Sequence, residues 1–246
     1  MKVAVISDIH GNLEALNTVY EHMHMISRCV DEVWCLGDVI GYGPCPSECL
    51  ASARQLCSWI VKGNHEDCVS DSAKDIEVNK SALRGIKFTR SQLTEADIGF
   101  LKNLPEKVII DDLGVTLCHG AFTEPSMWKY INSRAEAKAE LVYTPTWLCL
   151  TGHTHCPFVF SEKEKFRRVL PESVVLDKNQ KHLINVGSVG QPRDGDCRAS
   201  YGILEFTKDQ VVFRPQRVFY NIENTARQIR QAGLPDSLAE RLFRGE

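Results

Sequence analysis

The sequence predicts an α/β (α+β) fold built as one domain, residues 1–246. Short apolar runs rich in β-branched residues alternate with amphipathic helical patterns along most of the chain. Several of these runs end directly in Asp, Asn or His next to glycine, which is typical of strand ends that carry functional loops in α/β proteins. With 43% hydrophobic residues and no internal repeat or linker, the chain is long enough for a single large core.

The first two predicted strands each lead into a carboxylate. One strand spans Lys2 to Ser7 and continues into Asp8-Ile9-His10-Gly11. An amphipathic helix opened by Asn12 follows, and the second strand, which starts at Val33, ends at Asp38. An unpaired buried carboxylate is costly. We therefore expect Asp38 to meet a cation, a set of backbone N–H donors or a metal ion.

The middle of the chain adds a third strand and a helical insert. Pro46 starts a helix that runs to about Gln55 and leads to a strand over 57–62, which ends in Gly63-Asn64-His65-Glu66. Residues from about 71 to 103 are predicted to form helices that flank or cover the site. The run Thr94-Glu95-Ala96-Asp97 resembles a capping box that starts the last of these helices.

The second half of the chain is predicted to be rich in strands. Strands at 107–110 and 115–118 flank an Asp-Asp-Leu-Gly turn, and the second of them runs into His119-Gly120. A helix at 133–142 and a strand at 147–151 follow, and this strand ends in Gly152-His153-Thr154-His155. Further strands are predicted to about residue 218, and C-terminal helices at about 221–244.

Composition argues against several classes of protein. A net charge of −3 gives no basic footprint for nucleic acid, and no apolar run is long enough to span a membrane. The ten cysteines are scattered through apolar segments, which predicts reduced thiols, and the start lacks the apolar region of a secretory signal. We therefore expect a soluble, cytoplasmic protein. No heptad pattern indicates an oligomeric state.

Five separate apolar runs end in residues that can bind metal ions. Each one alone has a plain structural explanation, as a helix cap or a hydrogen-bonded core histidine. Leaving His65 aside, the set contains seven donors: Asp8, His10, Asp38, Asn64, His119, His153 and His155. Seven are too many for one tetrahedral zinc site but suit two ions that share a carboxylate, with Asp38 as the natural bridge. Oxygen and nitrogen donors without thiolate favour Mn, Fe, Ni, Co or Zn over Mg or Ca alone.

The order of these motifs resembles that of the calcineurin-like metallophosphoesterases, in their small bacterial and archaeal branch. The motifs that carry the resemblance are Asp8-Ile9-His10, Gly37-Asp38, Gly63-Asn64-His65-Glu66, His119-Gly120 and Gly152-His153-Thr154-His155. The stretches Gly41-Tyr42-Gly43-Pro44 and 187–196 also look like this branch, which extends the likeness across most of the chain.

The resemblance implies a four-layer αββα sandwich, with two mixed β-sheets flanked by helices and a two-metal site at the sheet ends. By the same likeness, Asp8, His10 and His155 would hold one ion, Asn64, His119 and His153 would hold the other, and Asp38 would bridge them. His65 would protonate the leaving oxygen while a metal-bridging hydroxide attacks phosphorus in line. The implied activity is a metal-dependent phosphoesterase acting on a phosphomonoester or phosphodiester, with a small phosphoester or nucleotide-type substrate. The implied cofactors are two divalent or trivalent transition-metal ions, with Mn as the first choice.

Some questions stay open at the level of sequence. Glu66 stands where the family often has Asp, and Val186 stands where an Asn-Pro-Gly turn is common, so the surroundings of the metal ligands can differ. Arg193 either contacts substrate or belongs to a solvated polar turn. The alternatives to an enzyme are a non-catalytic metal-binding scaffold with the same fold, or a structural metal protein. Retention of His65 is the feature that favours the enzyme.

Overall fold

The computed structural model describes residues 1–27, 30–71, 80–163, 167–168 and 172–246, and within them the chain forms two six-stranded sheets. The strands are β1 Lys2–Ile6, β2 Glu32–Cys35, β3 Trp59–Ile60, β4 Lys107–Ile110, β5 Val115–Cys118, β6 Leu148–Thr151, β7 Phe158–Ser161, β8 Arg167–Arg168, β9 Val174–Leu176, β10 His182–Asn185, β11 Ala199–Phe206 and β12 Val211–Val218. The helices are α1 Leu13–Ser27, α2 Pro46–Leu56, α3 Asn64–Ser70, α4 Lys80–Gln92, α5 Glu95–Lys102, α6 Arg134–Val142, α7 Ile222–Gln231 and α8 Asp236–Arg244.

Both sheets are mixed, as the family resemblance implied. The first has the strand order β3-β2-β1-β11-β12-β9, in which β1, β2 and β3 are parallel and β11 and β12 are antiparallel to their neighbours. The second has the order β4-β5-β6-β10-β7-β8, in which β5, β6 and β10 are parallel. Each sheet therefore has a run of parallel strands whose carboxyl ends lie along one edge, where α/β proteins carry their functional loops.

The alternation of side chains along the strands produces the layers. In β1, Val3 and Val5 belong to a core shared by the two sheets, while Ala4 and Ile6 pack with the residues of α1 and α2. In the second sheet, Leu148 and Leu150 point into the core between the sheets, whereas Cys149 packs with residues of α6. Successive residues of a strand face opposite sides, so both sheets are covered on both faces and the result is the four-layer sandwich.

Two predicted strands are shorter than expected. The second strand ends at Cys35 instead of Asp38, because Gly37 and Asp38 take φ values of +94° and +52° and leave the extended conformation. The third strand is reduced to Trp59–Ile60. In both cases the residues after the shortened strand belong to a loop. The loops that carry polar residues are therefore longer than the pattern of apolar residues indicated.

The predicted helical insert and its capping box are present where the chain is described. Helices occupy Lys80–Gln92 and Glu95–Lys102, while positions 72–79 of the predicted insert lie outside the described residues. Thr94 Oγ1 accepts a hydrogen bond from the backbone N of Asp97 at 3.2 Å, and the Asp97 carboxylate accepts one from the backbone N of Thr94 at 3.1 Å. This reciprocal pair is the capping box that the sequence predicted.

The predicted C-terminal helical segment consists of two helices, α7 and α8. Gly233, with φ +69°, and Pro235 separate them, since a left-handed glycine and a proline end helices. The two helices bury a shared set of apolar residues that includes Ile229 and Leu242. Thr225 Oγ1 donates to Asn12 Oδ1 at 3.0 Å and joins α7 to the start of α1.

None of the helices in the described part of the chain is long and apolar enough to cross a membrane. Nine of the cysteines belong to the described part of the chain, and no disulfide bond joins any of them. The reduced state of the thiols stays a prediction.

Candidate metal centre

The structure brings all eight sequence-predicted site residues to one place, where the strand ends of the two sheets meet. Loops after β1 and β2 carry Asp8, His10 and Asp38, and Asn64 and His65 begin α3. Loops after β5 and β6 supply His119, His153 and His155. All of them are buried except Asn64, which is partly buried. The cluster therefore joins residues more than 140 positions apart in the chain through the packing of the two sheets.

The side chains form two groups that share Asp38. In the first group, Asp8 Oδ1 lies 3.2 Å from His155 Nε2 and 3.8 Å from His10 Nε2, and the two histidine Nε2 atoms are 3.0 Å apart. Asp38 Oδ2 lies 3.7 Å from His10 Nε2, so it reaches this group as well.

The second group is centred on His119. Its Nε2 atom lies 3.2 Å from Asp38 Oδ2, 3.2 Å from Asn64 Oδ1 and 3.1 Å from His153 Nδ1. The Asp38 carboxylate thus faces both groups, which is the position required of a ligand shared by two ions.

Backbone carbonyls orient all four histidines of the two groups. Carbonyl oxygens bind the ring nitrogens that point away from the cluster: Ile40 O with His10 Nδ1, Leu36 O with His119 Nδ1, Gln191 O with His155 Nδ1 and Trp128 O with His153 Nε2. Because a carbonyl oxygen can only accept, each of these nitrogens carries the hydrogen. In the neutral ring the opposite nitrogen then presents a lone pair to the cluster, the arrangement found in metal-binding histidines.

The buried carboxylates of the cluster favour a bound cation. Asp8 Oδ1 is buried and has no hydrogen-bond partner within the described residues. Burial would raise the pKa of Asp8, but His155 and His119 hold that pKa below the usual value. Burial would lower the pKa of His119, but Asp38 raises it to about 9. The cluster attracts positive charge, and a metal ion would replace that proton.

Five residues of the cluster have left-handed backbone conformations. The φ values are +53° for Asp8, +50° for His10, +52° for Asp38, +65° for His153 and +58° for His155. Such values are uncommon for residues other than glycine and cost free energy, and they concentrate at functional sites. Here they turn each strand end sharply, so that residues two apart, such as His153 and His155, both serve the cluster.

The stretch 187–196, which resembles the family in sequence, is hydrogen-bonded to the backbone of Asp8. Ser188 Oγ donates to the backbone O of Asp8 at 2.8 Å, and the backbone N of Gly190 donates to the same oxygen at 2.9 Å. A Cβ on Gly190 would lie 1.8 Å from the backbone O of Ile9, so only glycine fits there. Val186, the departure from the usual turn, is 1% exposed and packs in the core between the sheets.

Glu66, the other departure from the family pattern, ties two loops together. Its Oε2 atom accepts hydrogen bonds from the backbone N of Asp38 and of Gly63, both at 2.8 Å. Its Oε1 atom accepts from the backbone N of Val39 at 2.8 Å and of Ile40 at 3.3 Å. Burial, reinforced by the Asp38 carboxylate, raises the pKa of Glu66 to about 7. The carboxylate therefore holds the loop of Asp38 against the start of α3.

His65 lies at the side of the cluster. Its backbone N donates to Asp38 Oδ1 at 2.9 Å, and its ring lies 4.8 Å from the His10 ring and 4.4 Å from the Tyr42 ring, measured between centroids. Burial lowers the pKa of His65, and the Asp38 carboxylate opposes this effect. A Cβ on Gly41 would lie 2.2 Å from His65 Nδ1, so Gly41 makes the space for the ring.

Sequence reasoning missed several residues of the site. Tyr130 stacks on the ring of His153 with centroids 4.1 Å apart and planes at 7°, and its side chain is about half exposed. Trp128 orients His153 through its backbone carbonyl, and its Nε1 atom donates to Asp67 Oδ2 at 3.2 Å. Both residues lie in an irregular loop, and a backbone carbonyl leaves no signal in the residue types, so no local pattern indicated them.

Known proteins share both the sequence and the fold. Residues 1–209 match the sequence profile of the calcineurin-like phosphoesterase superfamily domain. An uncharacterised protein of Methanocaldococcus jannaschii is 37% identical over 248 residues, which cover 99% of this chain and 98% of that protein. The symmetrical bis(5'-nucleosyl)-tetraphosphatase of Erwinia tasmaniensis is 27% identical over 145 residues, which cover 56% of this chain and 50% of that enzyme.

Two crystal structures show the same fold over the whole chain. A metallophosphoesterase from Sphaerobacter thermophilus has a TM-score of 0.87 and 36% identity, with 100% of this chain and 99% of that chain covered. A hypothetical protein from Pyrococcus horikoshii OT3 has a TM-score of 0.81 and 16% identity, with 100% and 98% covered. These matches confirm the predicted family and fold: the chain belongs to the calcineurin-like phosphoesterase superfamily.

Proposed function

We propose that the protein is a metal-dependent phosphoesterase that hydrolyses a phosphomonoester or phosphodiester by in-line attack at phosphorus. The observation that carries the proposal is the pair of ligand groups that share the Asp38 carboxylate, with His65 beside them. Membership of a phosphoesterase superfamily supports the same reaction class.

The proposed cofactors are two transition-metal ions. Asp8, His10 and His155 would hold one ion, and Asn64, His119 and His153 would hold the other, with Asp38 shared by both. Imidazole and oxygen donors without thiolate favour Mn first, with Fe, Ni, Co or Zn as alternatives. Such ions supply a nucleophile at neutral pH and neutralise charge on the phosphoryl oxygens.

The chain's own residues would orient the substrate and move the proton. His65 is the proposed proton donor to the leaving oxygen, since its ring lies beside the cluster and is not needed to complete either ligand group. Burial lowers the pKa of His65, and the Asp38 carboxylate opposes this effect. The negative charge of a bound phosphoryl group would also raise the pKa of His65 and so favour the protonated ring.

The proposal is tested with p-nitrophenyl phosphate and bis(p-nitrophenyl) phosphate on protein loaded with each candidate metal. We expect turnover with at least Mn²⁺ and its loss in Asp38→Ala. Asp209→Asn, which removes an exposed carboxylate outside the cluster, serves as the matched control and should keep full activity. No turnover with any of the five metals, or full activity in Asp38→Ala, would contradict the proposal.

A non-catalytic metal-binding scaffold is the alternative from another class. The space that Gly41 leaves for the His65 ring favours the enzyme, because metal binding alone does not need that ring. We further propose a small phosphoester or nucleotide-type substrate, in line with the Erwinia tasmaniensis relative, whose name describes a nucleotide hydrolase. A single domain over 1–246 and a cytoplasmic location stay part of the proposal.

A further inference from the structure

Two arginines donate to one buried acceptor at the edge of the metal centre. Arg193 lies in the loop after β10, and Arg241 lies in α8. Arg193 Nη2 is 2.9 Å and Arg241 Nη1 is 3.2 Å from the same atom, Gln191 Oε1. Gln191 is only 2% exposed, and its backbone O accepts the hydrogen bond from His155 Nδ1. A single residue thus links the arginine pair to a ligand histidine.

The pair faces the same part of the site as His65. The Arg193 guanidinium carbon lies 5.8 Å from the centroid of the Tyr42 ring. The same ring lies 4.4 Å from the His65 ring and 4.8 Å from the His10 ring, again between centroids, and it also packs against the apolar residues of α7 and α8. The Tyr42 ring therefore neighbours both the Arg193 guanidinium and the cluster residues His10 and His65, which places Arg193 at the side of the cluster.

Glu246 acts on Arg241 through space and offsets the two positive charges only in part. Among the residues that the structure describes, neither guanidinium forms an ion pair with a carboxylate. Three acidic residues close in sequence are engaged elsewhere: Asp194 pairs with Arg217, Asp196 with Arg198, and Glu246 with Arg244. Glu240, next to Arg241, is exposed. Burial lowers the pKa of Arg241, and the charge of Arg193 adds to this effect. Two like charges held together in this way favour binding of an anion.

The position of the pair is built into the fold. The backbone N of Gly195 donates to the backbone O of Gly245 at 3.0 Å, which ties the loop of Arg193 to the end of α8. The apolar contacts between α7 and α8 hold the second helix in place. The family profile ends at residue 209, so Arg241 comes from a segment beyond the matched domain. A rigidly held pair of guanidinium groups loses little freedom when it binds.

We propose that Arg193 and Arg241 form a subsite for a second phosphoryl group of the substrate, next to the phosphoryl group that is hydrolysed at the metal centre. The inference rests on the proposed function and narrows its substrate class to molecules with at least two phosphoryl groups, such as nucleoside or dinucleoside polyphosphates. The planar fork of arginine matches the oxygens of a phosphoryl group, and bonds of this kind are charge-assisted. In this subsite Arg193 would bind substrate, which is one of the two roles that the sequence left open for it.

Binding of non-hydrolysable phosphonates tests the subsite directly. Calorimetry on the metal-loaded protein compares methylphosphonate with methylenebisphosphonate and with bismethylene triphosphate, which carry one, two and three phosphorus atoms. We expect the wild-type affinity to rise with the second or third phosphorus atom. In Arg241→Ala and Arg193→Ala this gain should fall about tenfold to a hundredfold, and Arg241→Lys should retain part of it. Arg244→Ala, on the same helix and paired with Glu246, is the control and should keep the full gain.

Three outcomes would overturn the subsite: no gain in the wild type, an unchanged gain in both alanine variants, or an equal weakening of methylphosphonate and the longer ligands. The last would mean that the arginines bind a lone phosphate group. Thermal unfolding of each variant checks that it is folded. Hydrolysis of bis(p-nitrophenyl) phosphate, which has one phosphoryl group, separates the two proposals. If the wild type hydrolyses this ester and the phosphonate gain is absent, only the subsite fails.

Discussion

Asp38 and Glu66 are joined by a hydrogen bond from the backbone N of Asp38 to Glu66 Oε2 at 2.8 Å, while the Asp38 side chain points to both ligand groups. One buried carboxylate thus holds the backbone of another. The hydrogen bonds to Glu66 hold the loop in which Asp38 adopts its left-handed conformation. This relationship connects the stability of the loops to the geometry of the proposed metal site.

The first prediction concerns the shared ligand. Asp38→Asn should lower the content of both metal ions per chain, because the amide loses the charge that faces both groups. Asp8→Asn and His119→Ala should mainly lower the content of one ion each. Inductively coupled plasma mass spectrometry of the purified variants measures the metals. Equal losses in all three variants would contradict separate ligand groups, and Asp209→Asn should match the wild type.

The second prediction concerns His65. His65→Ala should lower kcat by about a hundredfold to ten-thousandfold with an ester whose leaving group is a poor one, since general acid catalysis contributes on that order. With p-nitrophenyl phosphate the loss should be smaller, because p-nitrophenolate leaves without protonation. The metal content should remain that of the wild type. A loss that is the same for good and poor leaving groups would argue against a proton donor.

The third prediction concerns the space around the His65 ring. Gly41→Ala should displace this ring, because Gly41 has φ +90° and a Cβ there would lie 2.2 Å from His65 Nδ1. We expect kcat to fall toward the level of His65→Ala. Gly99→Ala in α5 is the matched control: nothing lies within 4 Å of a Cβ at Gly99, and the change should stabilise the helix by about 0.5–1 kcal/mol. Steady-state kinetics and thermal unfolding of both variants decide, and normal kinetics in Gly41→Ala would refute the steric role.

The fourth prediction concerns Glu66. In the wild type, backbone N–H groups donate to both oxygens of the Glu66 carboxylate. Glu66→Gln keeps the size of the side chain but replaces one of these oxygens with an NH₂ group, which cannot accept. We expect the free energy of unfolding to fall by about 1–3 kcal/mol, the cost of leaving a buried donor unsatisfied. Urea denaturation of the metal-free protein measures it. Glu223 is exposed, so Glu223→Gln should change the free energy of unfolding little. An equal effect of the two substitutions would show that the hydrogen bonds to Glu66 contribute nothing to stability.

The fifth prediction concerns removal of the metals. Chelation with EDTA should abolish hydrolysis and lower Tm, because ions that bind only the folded state stabilise it by about 2.7 kcal/mol at a hundred times Kd. The protein should still unfold in one cooperative transition, since the core between the sheets is apolar and complete without the cluster. Circular dichroism follows the transition. Collapse of the fold on chelation would instead favour a structural metal protein.

Local patterns in the sequence predicted many of the strands and helices and the residues that cluster, while the four-layer arrangement followed from the family resemblance and the ligand roles stay a proposal. The apolar runs before Asp8 and His119 are strands, and the capping box at Thr94 starts a helix as predicted. These features depend on residues a few positions apart, so the sequence alone contains them. Strand ends were less predictable, because the turn at Gly37 and Asp38 depends on the Glu66 carboxylate from another segment.

The sequence by itself therefore determined the residue types at the strand ends, and with them the chemistry that the site can perform. Only the tertiary structure decided how these residues meet. The 3.2 Å approach of His119 to Asp38 requires one sheet to pack on the other, and the carbonyl of Gln191 that orients His155 leaves no mark in residue type. Arg241 reaches Gln191 across 50 residues through the docking of α8. Such contacts arise from packing of distant segments, which short-range patterns do not encode.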